Sequence, residues 1–189
     1  MSNPLDGETP GAARTEAREG EPLASASGRR IWVDADACPV KDEVERLAAR
    51  RGLEVVHVCA LSGMDRRDAP AGVQIVRVAH GPDAADEWIL ERCRPGDLLI
   101  TLDVPLAAAA VARGALALDF RGRVFDEANV GHRRAVRDLL MRLRDQGARF
   151  RGPRSFSRRD RQTFTAALAR LLDRFAAEPS PAAALEKDL

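Results

Sequence analysis

Aspartates recur at three places where an apolar run gives way to a loop. Asp34 and Asp36 follow Ile31-Trp32-Val33, Asp83 and Asp86 open a helical stretch with Glu87 beside them, and Thr101-Leu102-Asp103 follows Leu98-Leu99-Ile100. Carboxylates brought together repel one another and raise one another's pKa unless a cation intervenes. An all-oxygen cluster suits a hard divalent ion, Mg²⁺ or Mn²⁺. Such an ion can bridge a phosphodiester and ease the deprotonation of water, so that hydrolysis needs no protein nucleophile. Each aspartate also has an ordinary structural use. Asp36 could cap a helix beginning near Pro39, Asp83 could stabilise a helix N-terminus, and Asp103 could cap the helix after Pro105.

Other side chains offer less. His57 and Cys59 alternate along a strand-like run and read as core or edge residues; one His-x-Cys pair is a weak zinc signal. His80 is expected as a supporting group beside the acidic helix, and His132 sits among arginines. Cys38, at a helix start, would have its thiolate favoured by the dipole, against the alternative of a buried, inert thiol.

The elements that must position these residues follow from periodicity. Strands are expected at 31–34, 53–60, 73–79, 97–103 and 115–120. Helices are expected from Pro39 to Arg51, with Val44, Leu47 and Ala48 inward, over 83–93, after Pro105, over 129–147 and over 157–175. Ser157 and Asp160 form a capping-box pattern at the last of these. Such β-α alternation implies an α/β fold, a three-layer α/β/α arrangement around a mostly parallel sheet, with C-terminal helices. Ligands of such sheets bind beyond the carboxyl ends of the strands, which is where the three acidic groups fall.

Bulk properties set the frame. The 189 residues suit one domain, 45% apolar and 31% charged. Residues 1–28 are rich in Gly, Pro, Ser, Ala and Glu without apolar periodicity, so a disordered extension is expected there. A single domain is expected over 29–176 and a flexible tail over 177–189. No membrane-spanning run and no signal-peptide pattern is present, and three scattered cysteines fit reduced thiols. These features predict a cytoplasmic protein; the oligomeric state is left open.

The net charge of +1 conceals segregation. Residues 32–119 carry fifteen acids against ten bases, whereas 121–174 carry fifteen arginines against six acids. An acidic core beside a basic third could hold a metal at one place and a phosphate backbone at the other. Within 152-GPRSFSRRDRQTF-164, backbone N–H groups with Arg154, Arg158, Arg159 and Arg161 are the expected nucleic-acid contacts.

Four blocks together carry a family resemblance: VDADACP (33–39), AHGPDAADEWI (79–89), GDLLITLDVPLA (96–107) and the GPRSFSRRDRQTF block. They look like the signature blocks of the YaiI/YqxD family, a bacterial group without an established activity. The match spans about 29–176, and the extension before Arg29 lies outside the pattern. The family is in turn regarded as similar to PIN-like domains, mostly Mg²⁺- or Mn²⁺-dependent ribonucleases. That resemblance implies that Asp34 closes the first strand of the site and that Thr101 and Asp103 form its Thr-x-Asp element. Asp83 or Asp86 would supply the acid from a central helix. Two departures stand out: the second aspartate with Cys38 after the first strand, and aspartate where the central acid is usually glutamate.

The implied function is a divalent-metal-dependent nuclease acting on RNA. Asp34, Asp36, Asp86 and Asp103 would be catalytic and, with Asp83, hold the ion. The alternative is a non-catalytic RNA- or ribosome-associated binding module. Hydrophobic-Asp-x-Asp also opens the motif of haloacid-dehalogenase-like phosphatases. However, Cys38 stands where that chemistry wants Thr or Val, and Lys41 is the only lysine in the expected folded body.

Overall fold

The computed structural model describes residues 28–60, 69–78, 81, 83–148 and 154–177. The expected N-terminal extension (1–28, apart from Gly28), the tail beyond Ala177 and His80 lie outside these residues. In chain order the elements are β1 (Arg30–Asp34), α1 (Lys41–Ala49), β2 (Glu54–Ala60), β3 (Val73–Val78), α2 (Ala84–Arg92) and β4 (Leu98–Ile100). There follow α3 (Val104–Val111), β5 (Leu116–Leu118), β6 (Val124–Phe125), α4 (Val130–Asp145) and α5 (Arg158–Ala177).

The strands form one six-stranded sheet in the order β3-β2-β1-β4-β5-β6. All neighbours are parallel except the β5–β6 pair. The β1–β2 hairpin-free crossover moves the chain one way from β1, and β4 then starts a march the other way. The order therefore reverses between β1 and β4, and a crevice opens at their carboxyl ends.

Because successive strand residues face opposite sides, the sheet sorts its apolar residues into two cores. Ile31, Val33, Val55, Leu98, Ile100 and Leu118 face α1 and α5, which contribute Val44, Leu47, Phe164, Leu168 and Leu172. Trp32, Val56, Val58, Leu99 and Ala117 face α2 and α3, which contribute Ile89, Leu106, Ala107 and Val111. The result is an α/β fold with helices on both faces of the sheet, as the β-α alternation implied. Full burial of a side chain such as Leu98 or Ile100 stabilises the fold by about 1.5–3 kcal/mol.

The outer helix α4 is different. It packs on α3, yet none of its residues is buried. Among the described residues no helix is long and apolar enough to cross a membrane.

Several boundaries differ from the sequence reading for local reasons. Helix α1 starts at Lys41, leaving Pro39 in the preceding turn, and its N-cap Val40 makes no side-chain cap. Strand β4 ends at Ile100; beyond it the Thr101 backbone N–H still bonds the Leu118 carbonyl, and the Asp103 N–H turns to the Thr101 hydroxyl. Strand β6, two residues long, was not expected; it follows a turn at Gly122 (φ +83°). A Cβ at Gly122 would lie 2.8 Å from the Thr163 carbonyl oxygen, so this turn presses directly on α5.

Candidate active site at the sheet switch point

Residues Val33 of β1 and Ile100 of β4 are register partners. The next residue on each strand therefore emerges at the same place, at the reversal of strand order. Thr101 Oγ1 donates to Asp34 Oδ2 at 2.8 Å and accepts from the Asp103 backbone N–H at 2.9 Å. Asp103 Oδ1 in turn accepts from Leu106 N–H at 2.8 Å, capping α3, with Pro105 in the first turn where its missing N–H costs nothing. One fully buried hydroxyl thus fixes Asp34 and shapes the loop that carries Asp103. Asp103 does cap a helix, and it does so beside Asp34.

Asp86 joins them from the first turn of α2. Its carboxyl is pushed up to about 6, by burial first and then by the charges of Asp103, Asp34 and Asp83. Asp34 is also raised. Burial is the main cause, the Thr101 hydrogen bond opposes it, and the charges of Asp36 and Asp103 add to it while Lys41 pulls back. These aspartates stand within one another's field with little positive charge nearby.

The remaining acids have other settings. Asp36 does not cap α1: both of its carboxylate oxygens accept from the Ala60 backbone N–H, at 3.1 and 3.2 Å. That bond falls on the last residue of β2 and holds the Asp36 turn against the strand. Asp83 is the N-cap residue of α2, yet its side chain makes no capping bond. It is the non-glycine residue with positive φ (63°) among those described, a conformation costing about 1 kcal/mol. Ordinary capping therefore does not explain Asp83.

Among the described residues no three His, Cys, Asp or Glu side chains converge tightly enough to hold an ion by themselves. Mg²⁺ commonly takes one or two carboxylates and completes its shell with water and substrate phosphate. Asp34 and Asp86, all-oxygen donors in a crevice short of positive charge, fit that mode.

Cys38 is buried, and burial pushes its thiol up to about 12. The helix-start position expected to favour a thiolate is overridden by desolvation, and the thiol is inert packing in the core under α1. His57 is likewise a core residue, fully buried with Nε2 3.0 Å from Glu45 Oε1.

The arginines of the C-terminal block are partly committed to the fold. Ser157 and Asp160 form the expected capping box: Ser157 N–H donates to Asp160 Oδ2 at 2.9 Å and Asp160 N–H to Ser157 Oγ at 3.2 Å. Arg154 donates to both Asp160 oxygens, one at 2.7 Å, and Arg121 donates to Oδ2 at 2.9 Å. Arg161 donates to Glu43 Oε1 at 2.6 Å. Arg158 and Arg159 are exposed. The structure thus spends Arg154 and Arg161 on internal pairs and leaves Arg158 and Arg159 at the surface.

A basic cavity that no motif signalled lies elsewhere, between α4, β6 and the loop after β4. Its volume is about 760 Å³, and its lining includes Leu102, Phe125, Asn129 and Arg133. A periodic count of apolar and basic residues along 130–145 was the available signal, and it could not reveal that the helix leaves a groove.

The class that the sheet defines is an open, doubly wound α/β fold with aspartates at its switch point. The family model described as "Uncharacterized BCR, YaiI/YqxD family" matches residues 32–174, and the chain belongs to that family. It is 50% identical to the "UPF0178 protein" of Stutzerimonas stutzeri (strain A1501) over 147 residues, covering 77% of this chain and 96% of the relative. It is 51% identical to the protein of the same name from Rhodopseudomonas palustris (strain BisB18) over 144 residues, 75% of this chain and 90% of that one. No solved structure matches the chain.

Proposed function

We propose that the chain is a divalent-metal-dependent phosphodiesterase acting on RNA, with its centre at Asp34, Asp86 and Asp103. The observation that carries this reading is the grouping of three aspartates at the switch point, where Asp86 is poised at about 6 by burial and by its acidic neighbours. Asp34 and Asp86 would hold Mg²⁺ or Mn²⁺, with Asp103 and the flanking Asp36 and Asp83 adding negative potential. The ion would neutralise phosphate charge and ease the deprotonation of water.

The chain's own residues do the rest. Thr101 holds Asp34 in one orientation through a buried hydroxyl, so the carboxylate pays no reordering cost when a ligand arrives. Asp86, whose ionised form is opposed by burial and by Asp103, Asp34 and Asp83, is the carboxylate that an incoming cation would relieve most. The Asp103 cap fixes the start of α3 and with it the loop that follows Thr101.

The purified protein with Mn²⁺ should cleave single-stranded RNA, and Asp34→Asn or Asp86→Asn should reduce the rate by at least about a hundredfold with the fold intact. Cleavage at the wild-type rate by both variants would assign the activity to a contaminant. A second reading, a non-catalytic RNA-binding module, is favoured by the lack of three converging ligands among the described residues. Salt-dependent RNA binding without turnover in any divalent metal would select it.

A further inference from the structure

Helices α1 and α5 pack side by side on one face of the sheet and run the same way. Near their ends Arg51 donates to Asp173 Oδ1 at 2.6 Å, and near their starts Arg161 donates to Glu43 Oε1 at 2.6 Å. Two further contacts fix their direction against the strands. Arg121, just past the carboxyl end of β5, donates to Asp160 in the first turn of α5 at 2.9 Å. Arg29, just before β1, donates to the Phe175 carbonyl near the end of α5 at 3.3 Å. Both helices therefore begin at the carboxyl end of the sheet, where the crevice with Asp34 opens, and finish at its amino end.

Three cations stand at these two starts. Lys41 is the first residue of α1, and Arg158 and Arg159 are the first two of α5. The helix dipole opposes a cation there and favours one in the last turn, where α4 carries Arg142 and Arg144. The neighbouring acids are already taken: Glu43 accepts from Arg161, and Asp160 accepts from Arg154 and Arg121. The three cations have no such partner. Arg158 and Arg159 are exposed, Lys41 is half-buried, and no described residue accepts a hydrogen bond from their side chains or forms an ion pair with them. Lys41 is also the cation whose charge is felt at Asp34. Positive charge that the local dipoles oppose, and that no internal acid balances, has its counterpart in an anion from outside.

We propose that Lys41, Arg158 and Arg159 form the phosphate-binding edge of the crevice, so that a single-stranded RNA leaves Asp34 over the starts of α1 and α5 and not along α4. Lys41 is the contact nearest the reacting phosphodiester, its ammonium a point charge with three rotatable donors. The two guanidinium groups hold phosphates further along the strand, where their forked donors can take two oxygens at once. The choice of RNA rests on the phosphodiesterase reading; the affinity of this edge for a phosphodiester backbone does not.

The test is fluorescence anisotropy of a short labelled single-stranded RNA with the full chain in EDTA, over a range of salt. A variant combining Lys41→Gln, Arg158→Gln and Arg159→Gln should bind about tenfold or more weakly. Its plot of log affinity against log salt should be shallower by about 2, at about 0.7 for each lost phosphate contact. A control combining Arg134→Gln, Arg142→Gln and Arg174→Gln removes the same charge from exposed positions elsewhere and should lose far less of both. Because the dipoles oppose the three cations, the urea midpoint of the first variant should equal or exceed that of wild type, which separates lost binding from lost fold. No RNA binding by wild type, unchanged binding by the first variant, or equal losses in the two variants overturns the edge. Binding lost in the first variant, with no wild-type cleavage in Mn²⁺, would sink the phosphodiesterase reading and leave the edge standing. Wild-type cleavage in Mn²⁺ that the first variant retains in full at RNA concentrations below KM would do the reverse.

Discussion

Asp86 and Asp160 are both aspartates in the first turn of a helix, and the fold treats them in opposite ways. Around Asp160 gather Arg154, Arg121, the Ser157 hydroxyl and the Ser157 N–H. Arg154 above all holds its carboxyl well below the usual carboxylate range. Around Asp86 gather Asp103, Asp34 and Asp83, and its carboxyl moves upward. A carboxylate surrounded by compensating donors locks structure, and its charge is already satisfied. One surrounded by its own kind stores electrostatic repulsion that a proton or a cation can relieve. The contrast separates a carboxylate whose charge is balanced on folding from one whose charge the fold leaves opposed.

The comparison can be broken most severely at the lock. Asp160→Ala strands Arg121 and Arg154 and removes the α5 capping box, so it should produce the largest fall in urea midpoint among these variants. The pH dependence has a definite sign. The folded pKa lies below the unfolded value of about 4, so the stabilisation is complete above about pH 4 and is lost as pH falls through the folded value. Acid unfolding of Asp160→Asn should therefore be shallower than that of wild type, and parallel curves would refute the assignment of the lock.

Thr101→Val comes next. It removes the donor to Asp34 and orphans the Asp103 N–H inside the protein, at a cost of about 1–3 kcal/mol by denaturant titration. If stability were unchanged, the hydroxyl would not be the organiser of the crevice.

The smallest effect should have the opposite sign. In EDTA, ionising Asp86 destabilises the fold because its folded value, about 6, lies above its unfolded one. Asp86→Asn should therefore be more stable than wild type above about pH 7, by only about 1 kcal/mol after solvent screening. The advantage should shrink as pH falls through about 6 and vanish below about pH 4, where Asp86 is protonated both folded and unfolded. Adding Mn²⁺ should raise the wild-type melting temperature and leave that of the variant in place. A variant less stable than wild type at neutral pH would show that the crevice is not under repulsion.

Local patterns carried much of this structure. The strand-like run ending at Asp34, and the inward set Val44, Leu47 and Ala48, follow from short-range periodicity. The Ser157–Asp160 box was equally legible, because a capping box is closed within four residues. Boundaries were less so. The shortened β4 and the late start of α1 depend on where side chains find partners across the sheet, as Asp36 does on β2.

Residue type and spacing by themselves determined the layered α/β arrangement and the presence of aspartates at strand ends, since alternation and turn chemistry act over a few neighbours. Only the tertiary structure decided what those aspartates do. The strand order put Asp34 and Thr101 side by side, sent Asp36 to β2 and surrounded Asp86 with like charge. It likewise paired Arg154 with Asp160, and left Arg133 Nε and Asn129 Oδ1 buried without a partner among the described residues. Charge and hydrogen bonding depend on distances through space, and residues 67 apart on the chain, such as Asp34 and Thr101, acquire those distances only when the sheet forms.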